Sequence, residues 1–249
     1  MNETEEKTRH LLDICRRAEK TGRRCYSSFL TPAEQDDFTR DPSAAFFQWT
    51  FEGGYANAER RILAAGEYEY GNDDPIPIRI IRAEPQNDKF AEELSHRDYL
   101  GAIMNLGIER STIGDILVRG RKAWIFCQEH VAEIILSGLK RVRRTAILSQ
   151  SGSPDDEELK PEFQPVYVHA ASERIDALAA DFAGISRTQA ASLFSSGKIF
   201  VNGRNVTDRS IKLHPGDILS IRGIGKGIYD GIERETRKGR LVAVFRKYI

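Results

Sequence analysis

Arg187, Lys198, Arg204 and Arg222 stand in one stretch of the chain, and Arg174, Arg209, Lys226, Arg237, Lys238 and Arg240 flank it. Cations of this kind, spread over a folded surface, bind phosphate. Arginine offers a planar fork of donors that matches two phosphate oxygens, and lysine offers a compact point charge. From His169 to Ile249 there are 14 Lys+Arg against 8 Asp+Glu, a net of +6. The remaining 168 residues carry 23 against 29. The formal net charge of zero therefore hides a basic module on an acidic body, which points to a polyanionic partner at one end.

The elements that must position these cations are readable locally. Ser186 with Gln189 three places on is a capping-box pattern, so a helix starts there. Its opening would present Arg187, Thr188 and unpaired backbone N–H groups to an anion. Gly197 sits where a helix C-cap needs positive φ. Lys198 to Val201 is β-prone, Asn202-Gly203 is a hairpin turn, and Gly216-Asp217 turns the chain into a strand over Ile218 to Arg222. Asn202 is a turn residue first and a contact to the polyanion second. Ser172 is placed to cap an earlier short helix containing Arg174, Ile175, Leu178 and Ala179. Arg222 to Gly227 lacks the Ser/Thr after Lys226 that a nucleotide-cradling loop requires, and reads as a flexible loop tracking phosphates. Thr236 to Arg240 reads as a hairpin tip with three cations.

This C-terminal segment resembles the S4-type RNA-binding domain, or alpha-L motif. The resemblance rests on Arg174, Leu178, Ser186, Arg187, Gln189, Ala190, Gly197, Lys198, Val201, Asn202, Gly203, Gly216 and Asp217 at their spacings. It implies recognition of folded RNA by its sugar–phosphate frame, with Arg174, Ser186, Arg187, Thr188, Gln189, Lys198, Asn202, Arg204, Arg209, Arg222, Lys226, Arg237, Lys238 and Arg240 as the contact set.

Upstream, residues 3–23 carry an apolar stripe of Leu11, Leu12, Ile14, Cys15 and Ala18, predicting a helix. Thr31, Pro32 and Glu34 mark another helix start. Phe47, Trp49 and Phe51 alternate as in a strand, 57–63 reads as helical, and Tyr68 to Pro75 as a closing loop. The next elements follow the order β-α-β-β-α-β: Ile76 to Ala83, a helix around His96 to Leu106, Ile113 to Val118, Lys122 to Cys127, a helix over 129–138, and Ala146 to Leu148. That order predicts a ferredoxin-like sheet. Trp124 and Phe126 share one face of a strand. They are either a base-stacking platform, as in RRM domains, or core residues packed under the two helices. Lys140 to Arg144 is a basic cluster at the end of this domain, either a phosphate contact or a solvated helix end with cations near the C-terminal dipole, and Ser149 to Pro161 is polar and acidic.

The expected architecture is α+β in three parts: an N-terminal mixed domain over 1–75, a ferredoxin-like, RRM-like middle domain over 76–150, a linker over 151–165 and the S4-type domain over 166–249. No run of about 18 apolar residues exists, so no membrane span is expected. Cys15, Cys25 and Cys127 lack metal-ligand spacing and suit reduced thiols in a cytoplasmic protein. The five histidines are isolated in the sequence, so neither a metal nor a cofactor is expected.

A second resemblance covers nearly the whole chain. Phe29 to Gln35, Gly53-Gly54-Tyr55 with Ala58 to Arg61, Arg97 to Arg110 and Ile113 to Val118 are similar to the YlmH-like family. The tail Glu235 to Arg240 matches too, although Glu235 replaces an expected polar residue. The resemblance implies a non-catalytic RNA-binding protein of bacteria and plastids that works on ribosomal particles. Its implied partners are ribosomal RNA of the large subunit and tRNA of stalled complexes. It implies a monomer off the ribosome, in the cytoplasm or, in a photosynthetic eukaryote, the plastid stroma. Two alternatives stand beside it. One is an RNA-modifying enzyme, since Arg174-Ile175-Asp176 superficially matches the catalytic string of pseudouridine synthases, and methyltransferases also carry S4-type domains. The other is a protein-interaction adaptor whose acidic N-terminal domain binds a partner.

Overall fold

The computed structural model describes residues 3–67, 75–237 and 239–248. It divides into two compact units, residues 1–160 and 161–249, and is a mixture of helices and antiparallel sheet. The expected loop over Tyr68 to Asp74, and Lys238, lie outside the described residues.

The first unit opens with α1 (Glu3–Thr21), whose apolar stripe is buried at Leu11, Leu12, Ile14, Cys15 and Ala18. β1 (Cys25–Leu30) follows, and Thr31 then caps α2 (Pro32–Arg40) with a reciprocal box: the Glu34 N–H donates to the Thr31 hydroxyl at 3.3 Å and the Thr31 N–H to the Glu34 carboxylate at 2.7 Å. β2 (Trp49–Glu52) and β3 (Arg61–Ala65) complete a three-stranded sheet ordered β1-β3-β2, antiparallel at both contacts. The helix expected over 57–63 is therefore a correction: its C-terminal part is the central strand. Ile62, Leu63, Ala64 and Ala65 are all buried, and a strand covered on both faces loses the alternation that would distinguish it from a buried helix.

The ferredoxin-like order then appears as β4 (Ile78–Pro85), α3 (His96–Met104), β5 (Ile113–Arg119), β6 (Lys122–Gln128), α4 (Glu129–Gly138), β7 (Arg141–Val142) and β8 (Thr145–Ser151). The sheet runs β5-β6-β4-β8-β7, with antiparallel neighbours. Ser95 caps α3, accepting from the Asp98 N–H. Ile81, Ala83, Ala123, Ile125, Cys127 and Ile147 pack with Tyr99, Ile103, Val131 and Ile135 of the two helices in one core. The basic run 140–144 is not a helix end: it forms a tight hairpin between β7 and β8, with Arg143 at φ 52 and Val142 fully buried.

Trp124 and Phe126 correct both readings made of them. They are 3% and 0% exposed, but strand alternation turns them away from Ile125 and the helices. The Tyr55 ring covers Phe126, with centroids 4.9 Å apart, and a Cβ on Gly54 would lie 2.9 Å from that ring. Gly152 closes on Trp124 in the same way. The sheet face that an RRM would offer to bases is thus filled by the chain's own residues here. Beyond Ser151, Asp155 caps the short α5 (Asp156–Leu159), and Lys122 pairs with Glu158 at 3.3 Å.

The second unit comprises β9 (Phe163–Ala170), α6 (Ile175–Phe182), α7 (Arg187–Ser195), β10 (Ile199–Val201), β11 (Arg204–Asn205), β12 (Ile218–Ile221), β13 (Gly225–Glu235) and β14 (Leu241–Tyr248). The six strands are ordered β11-β10-β12-β13-β14-β9 and are antiparallel throughout. α6 and α7 cover one face, burying Leu178, Phe182 and Phe194 with Leu219, Ile221, Tyr229 and Phe245. The stretch expected as linker, 151–165, holds the end of β8, α5 and the start of β9. Ser172 does not cap α6: Arg174 occupies the N-cap position without a side-chain cap bond. Nor is 222–227 a flexible loop. It is the β12–β13 turn, with Gly223 at φ +93, running straight into β13.

Candidate nucleic-acid interface

α7 begins where its sequence predicts. The Gln189 N–H donates to the Ser186 hydroxyl at 3.2 Å, and the Ser186 N–H to the Gln189 amide oxygen at 2.9 Å. Ser186 and Gln189 thus shape the helix opening with their own side chains engaged. Ala190 and Phe194 bury the inner side of the helix, leaving Arg187 and Thr188 exposed at its first turn. Among the described residues no carboxylate pairs with Arg187. A guanidinium beside the positive end of a helix dipole is a favourable place for a phosphate.

The other cations fall into two groups on the sheet. At the β12–β13 turn, the Arg222 N–H donates to the Lys198 carbonyl at 2.9 Å, and Lys226 pairs across strands with Ser220. Lys198 is exposed, and Arg222 lies over the Phe200 ring at 4.6 Å. At the other end of β13, Arg237 is exposed at the β13–β14 tip and Arg240 donates to the His169 carbonyl. Arg174 bridges to Lys212 through its backbone, while its guanidinium is held by Asp176 at 3.0 Å, which keeps its pKa above the ordinary value. Arg204 lies on the edge strand β11, and Arg209 is exposed in the following loop.

Asn202 sits at φ +50 in the β10–β11 turn. It donates to Asp217 at 2.8 Å and accepts from the Ile218 N–H at 2.9 Å, so both ends of its amide tie two turns together. Asp217 also accepts from the His214 N–H at 2.7 Å.

Sequence reasoning missed four residues of this unit. Phe163, Tyr167, Arg246 and Tyr248 line the sheet face opposite the helices. Their two-residue alternation in β9 and β14 was the available signal, obscured because Phe163 fell in the expected linker. It also missed a polar joint in the first unit. The Asp115 carboxylate accepts from the Tyr55 hydroxyl at 2.8 Å, the Glu59 N–H at 2.7 Å and the Arg60 N–H at 3.2 Å. Arg60 reaches on to the Ile113 and Phe29 carbonyls. Burial and the Asp115 charge push the Tyr55 phenol up, and burial pushes the Arg60 guanidinium down. Among the described residues, no group of three or more His, Cys, Asp or Glu side chains is arranged to hold a metal, and no helix is long and apolar enough to cross a membrane.

Residues 80–153 match the family model described as "Putative RNA-binding domain in YlmH". The chain is also 28% identical, over 229 residues, to the Bacillus subtilis (strain 168) "Ribosome-associated protein quality control protein P2", covering 89% of this chain and 86% of that one. The chain is thus similar to the YlmH-like family. Among solved structures, "Cell division protein ylmH from Streptococcus pneumoniae" superposes with a TM-score of 0.50 at 20% identity, over 61% of this chain and 93% of that one. At that identity the likeness concerns the fold. The YlmH-like match over 80–153 coincides with the ferredoxin-like sheet, β4 to β8.

Proposed function

We propose that this YlmH-like chain is a non-catalytic RNA-binding protein that grips structured ribosomal RNA through its C-terminal unit, acting as an S4-type domain. The observation that carries the reading is Arg187, exposed at the capped start of α7 on a unit with a net charge of +6 from His169 onward. The names of the family model and of the B. subtilis relative support RNA and ribosome association. The large subunit, with tRNA close by, and a cytoplasmic, monomeric state off the ribosome are the finer parts of this reading. Recognition is of shape and phosphate, since RNA helices offer phosphates and 2′-hydroxyls more readily than base edges.

The enzymatic alternative draws little support from Arg174-Ile175-Asp176. The arginine and the aspartate pair with each other at 3.0 Å on the outside of α6. Incubation with ribosomal RNA and tRNA, followed by nucleoside mass spectrometry, is expected to show no new modification. For the binding itself, filter titration at fixed salt should find Arg187→Ala weaker by about 1–3 kcal/mol, the range for a charge-assisted contact. Unchanged affinity in a folded variant would remove Arg187 from the interface.

A further inference from the structure

The sheet of the second unit has helices on one face only. The other face carries rings and cations in alternation. Across the strands Phe200 pairs with Ser220, Ser220 with Lys226, and Tyr248 with Phe163. The Arg222 guanidinium lies 4.6 Å from the Phe200 centroid and the Lys226 ammonium 4.1 Å from that of Tyr248. Tyr248 and Phe163 stand edge to face at 4.9 Å, and Arg246 lies 5.2 Å from Phe163. Two strand positions along β9 from Pro165, on the same side as Phe163, Tyr167 is 53% exposed. The acid on these rows, Asp230, is occupied by Arg246 at 3.0 Å.

A surface that pairs ring faces with positive charges is complementary to a ligand with flat faces and negative charges at similar intervals. Unpaired RNA has both, and stacking on aromatic side chains tolerates any base because every base has a π-face. We infer that this face stacks unpaired bases next to the structured RNA, while Arg222 and Lys226 turn from the rings to the neighbouring phosphates. The inference rests on the chain being an RNA binder, but it uses a surface different from the α7 opening. It also assigns Arg222 and Lys226 to that surface rather than to the one led by Arg187. In the first unit, by contrast, the equivalent sheet face is filled by Tyr55 and Gly152, so stacking is available on the second sheet and not on the first.

The test uses the full chain with two labelled probes, a single-stranded oligouridine and a stable RNA hairpin. Tyr167→Ala, and separately Tyr248→Leu, are each expected to weaken oligouridine binding by about tenfold, within the range for loss of one stacking ring. Both should leave hairpin binding within about twofold. Arg187→Ala is expected to show the reverse pattern. Circular dichroism and melting confirm folding, and exposed Tyr167 remains informative if the Tyr248 variant is destabilised. Wild-type protein that binds the hairpin but not oligouridine, or a folded Tyr167→Ala variant that keeps full oligouridine affinity, overturns the stacking face and leaves the proposed function standing. Failure of wild type to bind either probe overturns both.

Discussion

At the scale of single residues, Asp115 ties distant parts of the first unit together. It takes one phenol and two backbone N–H groups across 55 to 60 positions of sequence. Removing it strands three donors in a half-buried joint, and an unsatisfied buried group costs about 1–3 kcal/mol. Asp115→Ala should therefore lower unfolding free energy by about 3 kcal/mol in urea titration. A loss below about 1 kcal/mol would show the joint to be incidental. Glu34 makes a pH-dependent contribution. Burial alone would raise its pKa, yet Lys7 and the Thr31 N–H hold it below the usual 4.5. A lowered carboxylate pKa stabilises the fold above the unfolded value and loses that contribution as pH falls through the folded one. The stability gap between wild type and Glu34→Gln should be full at pH 7 and shrink steadily below about pH 4.5. A pH-independent gap would contradict the assignment. The two caps at Thr31 and Ser186 were legible in sequence because both partners lie within three residues. The role of Asp115 was not, because its partners are brought to it only by folding.

At the scale of elements, glycine marks where the layers touch. A Cβ on Gly227 would stand 2.9 Å from the Phe182 ring and 3.2 Å from the Arg246 carbonyl. α6 can lie on β13 only because that side chain is missing. Overpacking of this kind costs about 1–3 kcal/mol, so Gly227→Ala should lower the melting temperature. A variant as stable as wild type would show that α6 can shift. The capped helices and the Asn202-Gly203 turn were readable because their signals are local. β3 was not, since burial on both faces erases its alternation. The face that Trp124 and Phe126 occupy was unreadable for a different reason: alternation assigns residues to sides of a strand, not to what covers each side. The same limit split the predicted contact set, since nothing in the sequence separates Arg222 and Lys226 from Arg187 by the thickness of a sheet.

At the scale of the whole molecule, the charge distribution carries the functional claim. An overall formal charge of zero combines a body with excess acid and a C-terminal module with six excess cations. If that module holds five to seven phosphates, log affinity for structured ribosomal RNA should fall with log salt at a slope of about −4 to −6. The most direct test measures that slope for wild type and for Arg187→Ala. The slope should be steep in wild type and shallower by about one in the variant, the signature of one lost phosphate contact. A wild-type slope near zero, or an identical slope and affinity in the folded variant, would contradict it.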